Sequence, residues 1–140
     1  MVKDLIHKLL KDLELSKNEI LEEEGRYTVS IDQQIAITFN HIEPEGIWMS
    51  ANIGQCPQRR KEELFTKLMI GNLFGQGTGG AAIAIDGEEK KLLLNLTIFN
   101  LPNYPEFYAQ VENFLNNVEF WKNELKHHEE ESDHASDFFH

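Results

Sequence analysis

The chain opens on an apolar stripe. Val2, Leu5, Ile6, Leu9, Leu10 and Leu13 recur at the i, i+3, i+4, i+7 spacing of an amphipathic helix, with Lys3, Lys8, Lys11 and Asp12 opposite. Ser16 to Glu24 is polar and reads as a loop ending at Gly25. Strict alternation then replaces the helical period. Tyr27, Val29 and Ile31 alternate with Thr28 and Ser30; Ile35, Ile37 and Phe39 alternate with Ala36, Thr38 and Asn40. Ile47, Met49, Ala51 and Ile53 alternate in turn with Trp48, Ser50 and Asn52. Asp32-Gln33-Gln34 and Glu43-Pro44-Glu45-Gly46 have turn chemistry, so the three strands form an antiparallel meander.

After Pro57 the helical period returns, from about Gln58 or Arg59 to Phe74. This helix carries Leu64, Phe65, Leu68, Met69, Leu73 and Phe74, with Ile70 outside the stripe, which is more apolar surface than a one-sided core contact needs. A surplus apolar face of this kind predicts a protein partner. Gly75, Gly77, Gly79 and Gly80 end the helix, because glycine readily takes left-handed conformations. Ala81 to Ile85 and Lys91 to Asn100 read as a hairpin around Asp86-Gly87. Asn103 with Glu106 resembles a capping box and Pro105 fits a first turn, opening a helix through Phe107, Val111, Phe114, Val118, Trp121 and Leu125. From His127 the chain is acidic and nearly devoid of core formers. The pattern therefore predicts one domain over residues 1–126 and a disordered acidic tail over 127–140. The element order is α-β-β-β-α-β-β-α, and runs of adjacent strands mark an α+β fold with a twisted antiparallel sheet flanked by helices.

Composition narrows the partners. A chain of 140 residues with 41% hydrophobic positions builds a single core and has little room for a second site. Thirteen basic against twenty-four acidic residues leave a net charge of −11, which repels phosphate backbones and anionic lipid. Cys56 is the only cysteine, which excludes an intrachain disulfide framework and suits a reducing cytosol. MVKDLIHKLLKDLEL intersperses charges with apolar residues, unlike a signal peptide, and no segment approaches a membrane span. The expectation is a soluble cytoplasmic protein.

Candidate chemistry is sparse. Gly75-Gln76-Gly77-Thr78-Gly79-Gly80 satisfies G-x-G-x-x-G formally, but a helix enters it and a strand leaves it. That order reverses what pyrophosphate binding requires, and the lysine of a phosphate-cradling loop is missing. A small α+β ligand-binding or enzymatic domain using the Gly75–Gly80 turn therefore stands only as the alternative. Cys56 and His41 could form a nucleophile and base, yet nothing in the sequence brings them together. No G-x-S-x-G elbow is present. His127, His128 and His134 with Glu129, Glu130, Glu131 and Asp133 could capture a metal, but a flexible tail lacks the rigid support a functional site needs. Arg59-Arg60-Lys61 reads as a solvated helix start, and Trp48 as either covered by a terminal helix or a peptide anchor. The reading is of a protein that is not an enzyme and uses no cofactor or metal.

With these elements in place, the chain resembles the class I type III secretion chaperones, the Tir-chaperone or CesT-like family, over roughly residues 1–125. The amphipathic first helix, the segment LFTKLMIGNLFGQGTGGAAIAID, the strand LLLNLTIFNLP and the closing helix carry the likeness. Its recognisable pattern runs Asn72-Leu73-Phe74 into Gly75-Gln76-Gly77-Thr78-Gly79-Gly80-Ala81. The resemblance implies a bacterial cytoplasmic chaperone that binds the N-terminal region of a secreted effector, keeps it soluble and partly unfolded, and delivers it to the secretion apparatus. It also implies a homodimer, or a heterodimer with a related chaperone, joined through Leu64, Leu68, Met69, Leu73 and Phe74. Client contacts implied in the same way are Leu5, Ile6, Leu9, Leu10, Leu13, Ile35, Ile37, Phe39 and Trp48.

Overall fold

A computed structural model describes residues 2–14, 20–32, 34–88 and 90–138, the side chains of 134–138 excepted. The elements run α1 (Val2–Asp12), β1 (Ile20–Glu23), β2 (Arg26–Ile31), β3 (Ile35–Ile42), β4 (Gly46–Gln55), α2 (Lys61–Asn72), β5 (Ala82–Asp86), β6 (Lys91–Ile98) and α3 (Tyr104–Phe138). The six strands form one antiparallel sheet in the order β1-β2-β3-β4-β6-β5. The expected α+β meander and hairpin are both present, with two corrections. The segment expected as a loop before Gly25 contains β1, which pairs Leu21 with Thr28 and Glu23 with Arg26; its residues 16–19 and Gln33 of the next turn lie outside the described residues. An edge strand of four residues with one intermediate and three exposed positions shows no burial alternation, so its pairing was invisible to pattern.

The second correction is at the C-terminus. Helix α3 does not stop near Leu125 but continues through the segment expected as a tail. Extending an existing helix avoids the nucleation cost, and local pairs such as His127 with Glu131 (2.9 Å) lie at the favourable i, i+4 spacing. His128 and Ser132 are buried against the β4–α2 linker, and Arg59 pairs with Asp133 at 3.0 Å. Residues 139–140 lie outside the described residues.

Alternation decides which sheet face is covered. Val29, Ile37, Phe39, Ile47, Met49, Leu92 and Leu94 share one face and are buried with Ile6 and Leu9 of α1 and Phe107, Phe114 and Val118 of α3. The other face carries Thr28, Thr38, Asn40, Trp48, Ser50 and Asn95 by register. Asn103 caps α3 as predicted, its Oδ1 accepting the Glu106 N–H at 3.0 Å. A register shift between Asn52 and Gly54 bends β4, and a Cβ on Gly54 would lie 2.9 Å from Leu125 Cδ1.

Helix α2 docks on α3 through Trp121. A Cβ built on Gly71 would meet Trp121 Cζ2 at 2.7 Å, and the indole N–H donates to the Gly77 carbonyl at 2.9 Å. Because Trp121 is buried and hydrogen-bonded, its ring cannot swing aside. Gly71→Ala gains up to about 1 kcal/mol of helix propensity but overpacks this contact by roughly 1–3 kcal/mol. Urea unfolding should show a net loss of about 1–2 kcal/mol; a stabilised variant would show that the ring yields freely.

Helix α1 is tied to α3 by Tyr104, whose hydroxyl donates to Asp12 Oδ2 at 2.5 Å while Lys8 Nζ sits 4.6 Å from its ring centroid. Removal from solvent, then the Asp12 hydrogen bond and charge, push the Tyr104 hydroxyl up to about 12. A raised folded-state value means the contact is fully present below pH 10 and is lost as pH rises towards 12. Stability followed through that window should fall more steeply in the parent chain than in Tyr104→Phe, and superimposable profiles would contradict this.

Candidate functional site

The glycine turn is a structural lock and not a ligand cradle. The N–H groups of Gln76, Gly77, Thr78, Gly80 and Ala81 all donate to carbonyls within or beside the turn, Gly77 to Gly71 at 3.0 Å. Anion binding by a glycine loop needs those donors free. Asn113 Nδ2 donates to Gly79 O at 3.2 Å, and a Cβ on Gly79 would lie 2.3 Å from Asn117 Nδ2. The first left-handed residue after α2 is also not a glycine. Phe74 takes φ 54° and ψ 19°, a conformation that costs a bulky residue about 1–3 kcal/mol, and its side chain is 87% exposed.

Phe74 belongs to a larger apolar strip. Met69, Ile70, Leu73 and Ile85 are, like Phe74, at least half exposed. Beneath them a groove of about 270 Å³ is lined by Phe65, Leu68, Met69 and Asn72 of α2 and by Ile83, Ala84, Ile85 and Leu92 of the hairpin. None of these residues is charged. Asn72 closes the groove: its side chain accepts the Ile83 N–H at 2.7 Å and donates to the Ile83 carbonyl at 3.0 Å. Strand β5 is an edge, and this pair of hydrogen bonds occupies backbone groups that another strand would otherwise claim.

The residues expected at the dimer seam divide accordingly. Met69, Leu73 and Phe74 are exposed on this strip, whereas Leu64 and Leu68 are buried in the core. Ile70, Ile85 and Phe65, outside the expected set, complete the surface. Ile85 was unreachable from pattern, because only the α2–β5 packing brings it beside Met69.

The residues expected to grip a client divide more sharply. Ile6, Leu9, Leu10, Ile35, Ile37 and Phe39 pack into the core between α1, α3 and the sheet, so they present no surface here. Leu5 and Leu13 remain partly exposed on α1. Trp48 is half-buried on the face opposite the one that α1 and α3 pack against, paired across strands with Asn40 and Thr97. Neither terminal helix covers it. On that same face Asn95 Oδ1 is buried without a hydrogen-bond partner among the described residues, an acceptor left unsatisfied at a cost of about 1–3 kcal/mol.

The remaining candidates are dispersed. His41 pairs with Ile47 at one end of β4 while Cys56 follows its other end, nine residues or about 30 Å away. His128 Nε2 meets the Arg59 carbonyl at 3.0 Å, and Arg60 reaches Glu63 and Glu131. Hydrogen bonding from Arg60 holds the Glu63 carboxyl below its ordinary range. His128, Arg59 and Arg60 thus tie α3 to the β4–α2 linker, while His127 pairs within α3; the His134 side chain lies outside the described residues. No described helix is long and apolar enough to cross a membrane.

Comparison with known proteins places this architecture. A Chlamydia pneumoniae protein is 28% identical over 126 residues, covering 89% of this chain and 96% of its own length. The solved HopA1–SchA chaperone–effector complex contains a chain of the same fold, with TM-score 0.69 and 15% identity over 87% of this chain and 93% of that one. YbjN of E. coli, a putative transcription regulator, shares the fold at TM-score 0.64 and 16% identity, over 90% of this chain and 92% of its own. At such identities structural likeness establishes the fold, and the family rests on sequence. Residues 4–122 match the model of the Tir chaperone protein (CesT) family, and the chain belongs to that family.

Proposed function

We propose that this protein is a cytoplasmic, non-enzymatic secretion chaperone. It binds an extended segment of a secreted effector, holds it soluble and partly unfolded, and releases it to a type III apparatus. The family match over nearly the whole folded chain carries this reading. Two features of the surface support it. Exposed apolar residues cluster on α2 and β5 of a chain whose net charge of −11 sets two copies in mutual repulsion overall. The sheet face away from α1 and α3 carries a half-buried tryptophan, the kind of aromatic anchor that peptide recognition uses.

The two surfaces take different partners in this reading. The α2–β5 strip joins two copies of the chain. The client engages Trp48 on one face and Leu5 and Leu13 on the other, so an extended segment touching both passes around an edge of the sheet. Asn72 occupies the Ile83 backbone at the β5 edge, leaving β1 as the edge for that passage.

Met69→Asp places a carboxylate in the apolar strip and should convert the dimer to a monomer in sedimentation equilibrium at micromolar concentration. A parent chain that is already monomeric would remove the dimer from the proposal. For the client, co-expression with secreted proteins encoded beside this gene should yield a complex in which limited proteolysis spares an N-terminal effector segment. Trp48→Ala should weaken that complex at least about tenfold, more than Trp48→Phe, which keeps an aromatic ring on the strand. A chain that retains and protects no secreted protein would defeat the chaperone reading.

A further inference from the structure

Two motifs play no part in the chaperone surfaces: the basic triplet and the acidic end of the chain. Arg59-Arg60-Lys61 is the sole run of three cations, and residues 127–140 hold five carboxylates with no lysine or arginine. The fold lays one on the other. Arg59 Nη1 meets Asp133 at 3.0 Å, Arg60 Nη1 lies 3.7 Å from Glu131, and His128 Nε2 meets the Arg59 carbonyl at 3.0 Å. Between them lies a cleft of about 470 Å³, walled by Cys56, Pro57 and Gln58 of the linker and by His128, Glu129 and Ser132 of α3.

The helix face that makes this contact continues the core stripe of α3 in polar residues. Val118, Trp121 and Leu125 are buried apolar positions, and His128 and Ser132 take the next two places. No apolar side chain from Lys126 to Asp133 anchors those turns. Exposed ion pairs add little stability because water and salt screen them, so these turns open at less cost than the helix before Leu125. The linker beneath is strained. Arg60 holds φ 54° and ψ 41°, left-handed values for a residue with a β-carbon, and begins α2 without a side-chain cap. Residues held this way cluster at ligand clamps and switch regions. The linker lies within the family match of residues 4–122, and the acidic turns lie beyond it.

We propose that the basic β4–α2 linker is a docking site for an acidic peptide segment of a partner protein, and that the end of α3 is its built-in competitor. The occupant already in place defines the chemistry: a carboxylate at each arginine and a donor to the Arg59 carbonyl. On a chain of net charge −11, this triplet is where an acidic segment is attracted. The incoming segment exchanges with Glu131 and Asp133, and α3 is released from about Lys126 onward. The chain thus lowers the affinity of its own site by the fraction of molecules in which the strap is closed.

Glu131→Gln with Asp133→Asn, made in the full chain, weakens the strap without adding cations and leaves the linker intact. A fluorescein-labelled peptide of residues 127–140, followed by anisotropy, should bind this variant at least about tenfold more tightly than the parent. Adding Arg59→Ala and Arg60→Gly should remove the gain, and glycine accepts the left-handed backbone at position 60. Equal affinity for parent and variant, or a gain that survives loss of both arginines, would overturn the proposal. So would a single-stranded DNA oligonucleotide of matched charge binding as tightly as the peptide. Hydrogen exchange reads the displacement in the unsubstituted chain, where excess peptide should speed exchange over residues 126–133 at least about threefold. If those amides stay as protected as before, the strap is not a competitor and the proposal fails.

Discussion

The contact between Trp121 and the glycines of the α2 segment organises how α2, the glycine turn and β5 meet. The indole lies where a Cβ on Gly71 would be and donates to Gly77, so α2 reaches α3 only because residue 71 has no side chain. That approach fixes the direction of α2 relative to the sheet. The turn after it is then folded back on its own carbonyls, and Asn72 falls beside Ile83. Exposure of Met69, Ile70 and Phe74 is the consequence, because the buried side of α2 is spent on Leu64, Leu68 and Gly71.

Charge and apolarity are divided in a way that fits a binding protein. Acidic residues outnumber basic ones by 24 to 13, and the resulting net charge of −11 disfavours nonspecific association. The apolar strip and the tryptophan face interrupt that field at two separated places. The polar end of α3 serves a structural purpose. Arg59 and Arg60 of the β4–α2 linker meet Asp133 and Glu131, and Lys67 of α2 meets Glu124. Exposed pairs of this kind are each worth little, but they act alongside the buried His128 and Ser132.

Much of the architecture was legible because burial has a period. The stripes of α1 and α3, the alternation of β2, β3 and β4, the Asp86-Gly87 hairpin and the Asn103 cap all follow from local residue choice. The elements that escaped are those whose stabilising partners are remote. Strand β1 is polar and half-edge, so only its pairing with β2 identifies it. The last turns of α3 lack core formers, and their contacts come from a linker some seventy residues earlier. The candidate site divided for the same reason. Ile6, Leu9, Ile37 and Phe39 have the same chemistry whether they pack a core or hold a partner, and only packing tells which.

The sequence by itself determined the fold class, the family and the non-phosphate character of the glycine turn, since each depends on residue order and period. Tertiary structure alone decided which apolar residues are left over. It buried Leu64 and Leu68 but exposed Met69, Leu73 and Phe74, put Trp48 on the face away from α1 and α3, and brought Ile85 to the side of α2. The physical reason is that a hydrophobic side chain specifies removal from water without specifying what removes it. That choice belongs to the elements that meet around it, here α2 held against α3 by one tryptophan.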